Sequence, residues 1–437
     1  MKRKILHNFI GVLAIISFMG VIGCNRAPRN KVQSAGEKTS TEAEAVIPSK
    51  ITKPTINVYV ENSGSMDGYV KGVTEFEQAV YNYLSNIKIS GITDTLNMFY
   101  INSRIIPQSS DIADFIEKLE PSSFKQKGGN RGVSDISNVF KTIFSETREN
   151  DVAILVTDGI FSPGKGIDAE QYLVNQQIGI KNVVAEYLTR FPKTAVVVYQ
   201  LSSKFNGTYY NRNDAKTEVD AQRPFYIWII GDILNIAKLK RYVPENSFKG
   251  SGIQHSYTLL PSFSEEINFA ILNTPKLGTF ARDKKSPKTS IYDIKVADSG
   301  THKGEFMFTT GMDLTIFKLL LGGEYLLNTG SYARLIDKQP NNDYLIEMEL
   351  NTTPSTNYTH NMKLTTTKIV TGELEIILRN EMPQWVYDMN DDEGLDINRN
   401  DAINKTFGIK YLVEGICEAY KLRGNTIYTS MKLNLKK

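Results

Sequence analysis

The chain has few of the residues on which covalent cross-links and nucleophilic catalysis depend. Cysteine occurs only as Cys24 and Cys417, so at most one internal disulfide could form in 437 residues. Beyond residue 23 the only histidines are His255, His302 and His360. The sequence contains neither a Gly-x-Ser-x-Gly nucleophile motif nor a nucleotide-type phosphate loop. These absences argue against a hydrolase and predict a protein that is not an enzyme.

The chain also lacks a surplus of positive charge outside its first residues. The formal charge is +3 at pH 7, and Lys2, Arg3 and Lys4 account for all of it, because residues 1–23 contain no acid. The remainder is electrically neutral and has no run rich in lysine and arginine. Because nucleic-acid binding requires a local excess of positive charge, the sequence argues against a nucleic-acid partner.

Residues 1–23 have the basic, apolar and small-residue order of a secretory signal peptide. The apolar run at 9–23 is shorter than the about 20 residues of a spanning helix. It closes in Val21-Ile22-Gly23-Cys24, which resembles the lipobox of bacterial lipoproteins. That resemblance implies cleavage before Cys24 and a diacylglycerol on its thiol. Asn25 follows, and by resemblance to enterobacterial sorting a residue other than Asp favours the outer membrane. We therefore expect a lipid-anchored protein of the bacterial cell envelope.

The mature chain is predicted to have a tether and two folded regions. Residues 24–54 are rich in Ser, Thr, Ala, Lys and Glu, which predicts a flexible lipid-anchored tether. Residues 55–245 alternate strand and helix patterns, which predicts an α/β fold with a doubly wound, mostly parallel sheet. The predicted strands are 56–60, 96–101, 151–156, 195–199 and 225–230. The predicted helices are 76–87, 112–119, 136–144, 169–190 and 232–239.

Three local features of this region carry further predictions. Thr74 and Glu77 match a capping box at the start of the first helix. Asp232 is placed to cap the last helix. The polar stretch 202–223 interrupts the apolar pattern and is predicted to be an excursion between two strands.

After about residue 250 the apolar period changes to two, which predicts a β-rich domain over 250–437. The predicted antiparallel strands are 344–350, 364–370, 372–378 and 427–433. Apolar spacing within 407–420 predicts a C-terminal helix packed on this β-rich sheet. Cys417 lies in that stretch and is predicted to be a buried small hydrophobe rather than a nucleophile.

Three segments at strand or helix boundaries carry hydroxyls and acids. Glu61-Asn62-Ser63-Gly64-Ser65-Met66 follows the first strand, at the edge where doubly wound sheets bind ligands. Ser134-Asp135 precedes a helix, and Thr157-Asp158-Gly159 ends a buried strand. In this order they resemble the motifs of the von Willebrand factor type A (vWA) family, which are Asp-x-Ser-x-Ser, a loop threonine and Thr-Asp-Gly. The sequence departs from that pattern at Glu61, where the family has Asp, and at Ser134, where it has Thr.

The resemblance covers residues 55–240 and implies a metal-ion-dependent adhesion site. Ser63, Ser65 and Ser134 would contact Mg²⁺ or a similar ion such as Mn²⁺ or Ca²⁺, and Asp158 would act largely through water. Oxygen ligands with few carboxylates suit Mg²⁺, which keeps waters and an open position for an acidic group of a protein partner. Glu61 carries one extra methylene, about 1.5 Å, so it either replaces a bridging water or occludes the site.

Two functions from different classes remain open. The first is a lipid-anchored protein that binds a protein partner through the metal site. The alternative is a scaffold or assembly subunit of an envelope complex in which the metal site is vestigial. A third, enzymatic function would require His255, His302 or His360 to share a pocket with acids.

Two further patterns are weaker. The acidic stretch 388–396 superficially resembles a calcium loop, but its glycine falls at the seventh position from Asp388 rather than the sixth, which favours a solvated loop. Trp385 lies beside Pro383 and Tyr387, and packing at the end of a strand is favoured over a carbohydrate platform.

Overall fold

The computed structural model describes residues 53–108, 111–132, 135–261, 267–352, 357–399 and 401–436. The predicted signal peptide, Cys24, the tether up to residue 52 and Ser134 lie outside the described residues. The described residues belong to one compact unit. They form a mixed α/β structure with one large sheet and further β-rich sheets, which agrees with the predicted combination of an α/β region and a β-rich region.

Strands and helices are numbered in chain order. The strands of the first sheet are β1 Thr55–Glu61, β2 Thr95–Ile101, β3 Ile105–Pro107, β4 Asp151–Thr157, β5 Thr194–Tyr210, β6 Lys216–Asp232 and β7 Ile253–Leu259. The remaining strands are β8 Phe269–Ile271, β9 Thr279–Arg282, β10 Ser290–Lys295, β11 Phe306–Met312, β12 Tyr332–Ile336, β13 Gln339–Pro340, β14 Leu345–Leu350, β15 His360–Thr366, β16 Gly372–Arg379, β17 Asn390–Asp391, β18 Thr406–Phe407 and β19 Ile427–Leu435. The α-helices are α1 Glu75–Ser90, α2 Ile112–Glu117, α3 Pro121–Gln126, α4 Ile136–Glu146, α5 Ala169–Arg190, α6 Ile233–Tyr242, α7 Thr315–Leu321, α8 Gly323–Leu327, α9 Gln384–Asp388 and α10 Ile409–Leu422.

The first sheet has the strand order β3-β2-β1-β4-β6-β5-β7. β1 is parallel to both β2 and β4, and the other pairings in this sheet are antiparallel. The sheet is therefore mixed, and the predicted parallel pairing is confined to the three adjacent strands β2, β1 and β4. Because the carboxyl ends of β1 and β4 meet at one edge, the loops that follow them lie side by side.

Side chains of the central strands alternate between two helical layers. Ile56, Val58 and Val60 of β1 point into one apolar layer, which α1, α2, α3 and α6 complete. Tyr59 points into the other layer, with α4, α5 and α10. Helices therefore cover both faces, as the apolar patterns predict. The predicted capping box is confirmed at its first bond, because Thr74 Oγ1 accepts from Glu77 N at 3.3 Å, and Asp232 caps α6 through Leu234 N at 2.8 Å.

The prediction for residues 202–223 was wrong. They form the distal half of a continuous hairpin, in which β5 and β6 pair from Thr194↔Asp232 to Tyr210↔Lys216. Only Phe205, Tyr209 and Val219 of this half are buried apolar residues, and the intervening side chains are polar. The sequence therefore resembles a loop although its backbone is paired throughout.

The region after residue 250 is β-rich but also contributes to the first sheet. β7 is the edge strand next to β5, and the other long strands form a six-stranded sheet, β13-β12-β16-β19-β10-β9, and a four-stranded sheet, β14-β15-β11-β8. The predicted C-terminal helix, α10, packs on α5 and not on these sheets. The two helices approach closely at Gly415 of α10, where a Cβ would lie 2.7 Å from the carbonyl oxygen of Gln177 in α5. Only glycine fits this contact. No helix in the described ranges is both long and apolar enough to span a bilayer.

Candidate functional site

The loop after β1 places two of the predicted hydroxyl ligands next to each other. Ser63 is buried, and its Oγ lies 3.0 Å from Ser65 Oγ at the start of a short 3-10 turn, Gly64–Gly68. Burial of Met66 in the same turn and a 2.6 Å hydrogen bond from Tyr69 Oη to Pro224 O fasten the loop to the sheet. The two hydroxyls are thus held by a rigid segment of the fold.

The end of β4 brings the two predicted acids to the same place. Glu61 is buried at the last position of β1, and its carboxylate accepts a hydrogen bond from Thr157 Oγ1. Thr157 Oγ1 itself accepts from Gly159 N at 2.9 Å, in a turn where Gly159 has a positive φ of 68°. Asp158 follows Thr157 and is 1% exposed. Glu61 and Asp158 therefore lie at the same edge of the sheet, and Glu61 accepts from the buried Thr157 hydroxyl.

The Asp158 carboxylate is incompletely satisfied. Its Oδ1 accepts from Ile160 N at 3.2 Å, whereas Oδ2 has no hydrogen-bond partner among the described residues. Burial raises the pKa of Asp158, and the nearby Ser65 hydroxyl, the Ile160 N–H and the charge of Arg223 act in the opposite direction. A buried carboxylate oxygen without a partner is costly. Of all atoms at the site, this one most needs a cation, a proton or a water.

The second loop docks on the first through Arg131, which sequence analysis missed. Its guanidinium donates to Asn62 O at 2.7 Å and to Ser63 O at 3.0 Å, and it forms an ion pair with Asp67. Gly64 N donates to the Arg131 carbonyl at 3.0 Å. No sequence pattern singles out this arginine, because its partners are carbonyls about 70 positions away.

Ser134, the predicted ligand of the second loop, lies outside the described residues. Its neighbour Asp135 is described and caps α4, with Oδ1 accepting from Ser137 N at 3.0 Å. The structure thus brings Glu61, Ser63, Ser65 and Asp158 to one edge of the sheet.

The distal β5–β6 hairpin covers one side of this edge and makes it a cleft. A Cβ on Gly207 would lie 2.8 Å from Gly68 Cα, and a Cβ on Gly68 would collide with the Phe205 ring, so neither position has room for a side chain. Thr208 and Tyr210 line a cavity of about 340 Å³ together with Ser63, Ser65 and Arg131. The hairpin that the sequence failed to predict therefore shapes the entrance to the predicted site.

Arg223, on the same hairpin, is a second functional candidate that the sequence did not reveal. It is 2% exposed, and its guanidinium carbon lies 4.8 Å from the centroid of the Tyr209 ring. It donates to Ile403 O at 3.2 Å and acts electrostatically on Asp158. A fully buried guanidinium needs compensating charge, and Asp158 supplies some of it.

The donor set fits a hard divalent cation better than a soft one. Its members are hydroxyl and carboxylate oxygens, the ligands that Mg²⁺ and Mn²⁺ prefer. Within the described ranges no three histidine, cysteine or acidic side chains gather as a metal site. A cation here would therefore depend on Ser63 and Ser65 and on retained waters as much as on the two acids.

The acidic stretch 388–396 is held by local contacts and by the tip of the β5–β6 hairpin, where Arg212 N donates to Gly394 O at 2.8 Å. Asp391 accepts from the backbone N–H groups of Glu393 and Gly394, and Asp392 pairs with Lys410 at 2.7 Å. These carboxylates are thus engaged by the loop and its neighbour α10, as expected of a structural, solvated turn.

Cys417 is buried, as predicted. Its Sγ lies 3.2 Å from the hydroxyl oxygen of Tyr257, and burial raises the pKa of the thiol to about 11. Because the thiolate is the nucleophilic form of cysteine, this residue is suited to packing rather than to catalysis.

The three histidines differ in their surroundings. His302 is exposed and contacts Glu305 at 2.8 Å, whereas His360 is buried with Nδ1 at 2.9 Å from Thr359 Oγ1. His255 lines a large cleft together with Glu324. His255 therefore shares a pocket with an acid, as an enzymatic function would require.

Comparison of the chain with protein-family models, with curated proteins and with solved structures gives no significant match.

Proposed function

We propose that the protein is a lipid-anchored component of a bacterial cell envelope whose vWA-like region binds a protein partner through a metal-ion-dependent adhesion-type site. Asp158 Oδ2 is the single observation that carries the proposal. It is a buried carboxylate oxygen without a partner among the described residues, beside two adjacent hydroxyls. A divalent cation would supply the missing partner and offset the cost of burying that charge.

The residues that would hold the cation are Ser63, Ser65 and Asp158, with Glu61 adding negative charge and Ser134 as a further predicted ligand. Mg²⁺ would act as a hard Lewis acid that bridges to a carboxylate. The cleft is also lined by Lys125 and Arg131. Asp67, which pairs with Arg131, and Asp214 line it too, so these side-chain charges balance. The bound cation itself would then favour an acidic group of the partner over a basic one.

A scaffold subunit with a vestigial metal site is the second candidate, and two observations favour it. The Glu61 carboxylate already accepts from Thr157, and the guanidinium of Arg223 supplies positive charge near Asp158. If these contacts offset the cost of burying the two carboxylates, the cleft needs no ion. Its surface would then serve only in the assembly of a complex.

Thermal melts of the purified full-length chain in chelator, then in Mg²⁺ or Mn²⁺, separate the two candidates. A cation that binds only the folded state stabilises it by about 2.7 kcal/mol at a hundredfold excess over Kd, which corresponds to several degrees. Ser65→Ala should abolish this shift and lower the metal-free stability by only about 1 kcal/mol, the usual contribution of one hydrogen bond, because the Ser65 hydroxyl contacts Ser63 Oγ in a partly exposed loop.

Ser162→Ala is the matched control. Ser162 lines the same cleft but belongs to none of the three motifs, so its loss should preserve the metal-dependent shift. Glu61→Asp restores the family residue and should preserve or strengthen the shift. Absence of a shift in both the wild type and Glu61→Asp would make the scaffold function the better one.

A further inference from the structure

A second and larger cleft, of about 870 Å³, lies along the edge strand β7 and shares no lining residue with the candidate metal site. One wall is β7 itself, and the other is formed by the junction of α7 and α8 at Gly322–Gly323 and by Trp385 in α9. A concave space of this size accommodates a ligand of several rings. Its walls indicate which class of ligand that is.

One wall presents aromatic surface. The rings of His255 and Trp385 are nearly parallel, at 7°, with centroids 5.4 Å apart. Because that separation exceeds the about 3.5 Å contact distance of stacked rings, they are offset and leave part of each face uncovered. Tyr325 and Tyr428 also line the cleft, and their hydroxyls are occupied by the carbonyls of Arg379 and Thr258. These tyrosines therefore offer ring carbon rather than polar groups.

The polar groups of the cleft are uncharged or acidic. Asn246, Gln254 and Glu324 are planar amides or a carboxylate, and neither lysine nor arginine lines the cleft within the described residues. Glu245 also lines the cleft, and its Oε1 forms an ion pair with Lys240 Nζ at 2.9 Å, which neutralises the carboxylate. Phosphates and carboxylates would thus find no counter-charge inside the cleft itself, although Arg241 and Lys318 line an adjoining cavity that shares Glu245 and Asn246 with it.

His255 adds a neutral donor and acceptor. Burial lowers the pKa of its imidazole, and the charges of Glu324 and Asp388 act in the opposite direction. A neutral imidazole has one N–H donor and one acceptor nitrogen, the same pair that a sugar hydroxyl offers.

An extended peptide added to the edge of the sheet is disfavoured. The carbonyl of Ser256 already accepts from Trp385 Nε1 at 3.3 Å, and that of Thr258 accepts from the Tyr428 hydroxyl at 2.7 Å. Strand addition requires such outward carbonyls to be free. The cleft is therefore not an open strand edge.

In place of the packing role that the sequence favours for Trp385, we propose that this cleft binds an uncharged oligosaccharide, with sugar rings on the His255–Trp385 surface. Asn246, Glu324 and the Gln254 Oε1 would bond its hydroxyls, since Gln254 Nε2 already donates to Ser251 O at 2.8 Å. Aromatic faces stack on the C–H faces of sugars, and planar amides and carboxylates bond neighbouring hydroxyl pairs. Uncharged sugars match a cleft that has aromatic walls and, among the described residues, no basic side chain.

The tryptophans give a direct assay, because the chain contains only two. Trp228 is completely buried in the core, so a change in fluorescence on adding a sugar reports on Trp385. The probes are neutral trisaccharides of β-1,4-glucose, β-1,4-xylose, α-1,4-glucose and β-1,4-N-acetylglucosamine, titrated into the full-length chain. At least one should change the emission in a saturable manner, with calorimetry as a second readout.

Gly323→Phe is the decisive variant. A Cβ at Gly323 meets nothing within 4 Å, and its φ is not positive, so a phenyl group can enter the cleft without backbone strain. It should weaken sugar binding at least about tenfold, equivalent to about 1.4 kcal/mol. Ile89→Phe, at a side chain that is 82% exposed and outside the cleft, should leave the affinity unchanged.

Three outcomes would overturn the proposal. They are no response to any of the four trisaccharides, sugar binding that Gly323→Phe does not weaken, and tighter binding of trilysine than of every sugar. The metal-dependent melting shift should be the same in Gly323→Phe and the wild type, because the two clefts share no residue. Failure of one proposal is thus distinguishable from failure of the other.

Discussion

Gly207→Ala should separate the distal β5–β6 hairpin from the Gly64–Gly68 turn that holds Ser65. A Cβ on Gly207 would lie 2.8 Å from Gly68 Cα and 3.1 Å from Gly68 N, closer than the 3.4–4 Å of ordinary contact. The obstacle is backbone and cannot rotate away, so the two segments must part by roughly 1 Å in a densely packed region. Overpacking of this kind costs about 1–3 kcal/mol. The midpoint of urea unfolding should therefore fall at constant m-value.

The effect should be concentrated at the hairpin and the cleft. Amide hydrogen exchange over 202–223 should accelerate more than exchange in α5, because the hairpin loses the contact that holds it. Since Thr208 and Tyr210 line the metal cleft, the metal-dependent melting shift should also decrease.

Gly323→Ala is the matched control for this prediction. It makes the same chemical change at another glycine without positive φ, but its new Cβ meets nothing within 4 Å. It should be neutral or stabilising by about 0.4–1 kcal/mol, through the lower entropy of the unfolded chain. Equal stability of the two variants would refute the close packing of Gly207 on Gly68.

Two further predictions concern protonation and the anchor. Burial raises the pKa of Glu77 from 4.5 to about 7, so the folded state binds more protons than the unfolded state between those pH values, and the free energy of unfolding should fall as pH rises through that window. Glu77→Gln should remove that slope, about 1 kcal/mol after allowance for the partly exposed carboxylate, as urea titrations at pH 4.5 and 8 would reveal. Cys24→Ala should abolish incorporation of a fatty-acid analogue and release the protein into the soluble fraction, and equal labelling of the mutant would contradict the predicted lipid anchor.

The sequence was most informative where apolar residues recur with a regular period. The sequence predicts α4 and β4 within one or two residues, because most of their buried positions are apolar and follow a period of 3.6 or a continuous run. Sequence analysis does not predict the hairpin at 202–223, because its stability comes from backbone pairing of β5 with β6 and from only three buried apolar side chains. The packing of α10 on α5 depends on a close helix contact at Gly415, which no local pattern encodes.

The candidate site was predictable to the extent that it follows from strand ends. Ser63, Ser65 and Asp158 lie together because β1 and β4 are parallel neighbours, an arrangement that the motif order implies. Arg131 and Arg223 could not be predicted, because they reach the site from a loop and a hairpin whose partners are distant in sequence. These two arginines also supply the positive charge around Asp158 and around the turn that contains Ser65. The electrostatics of the site is therefore the property that sequence analysis predicts least.

Glu61 belongs to the candidate metal site and also contributes to the stability of the fold. Its carboxylate is the buried acceptor of the Thr157 hydroxyl, and a shorter Asp would withdraw that acceptor by about one bond length, about 1.5 Å. Glu61→Asp should therefore lower the metal-free stability by about 1–3 kcal/mol, since a buried hydroxyl would lose its acceptor. If the ion binds, the same change places the carboxylate as in the vWA motif and the metal-dependent gain should be at least that of the wild type. A metal-free loss with no metal-dependent gain would mean that the extra methylene serves Thr157, and that the acids of this cleft hold the strands β1 and β4 together rather than an ion.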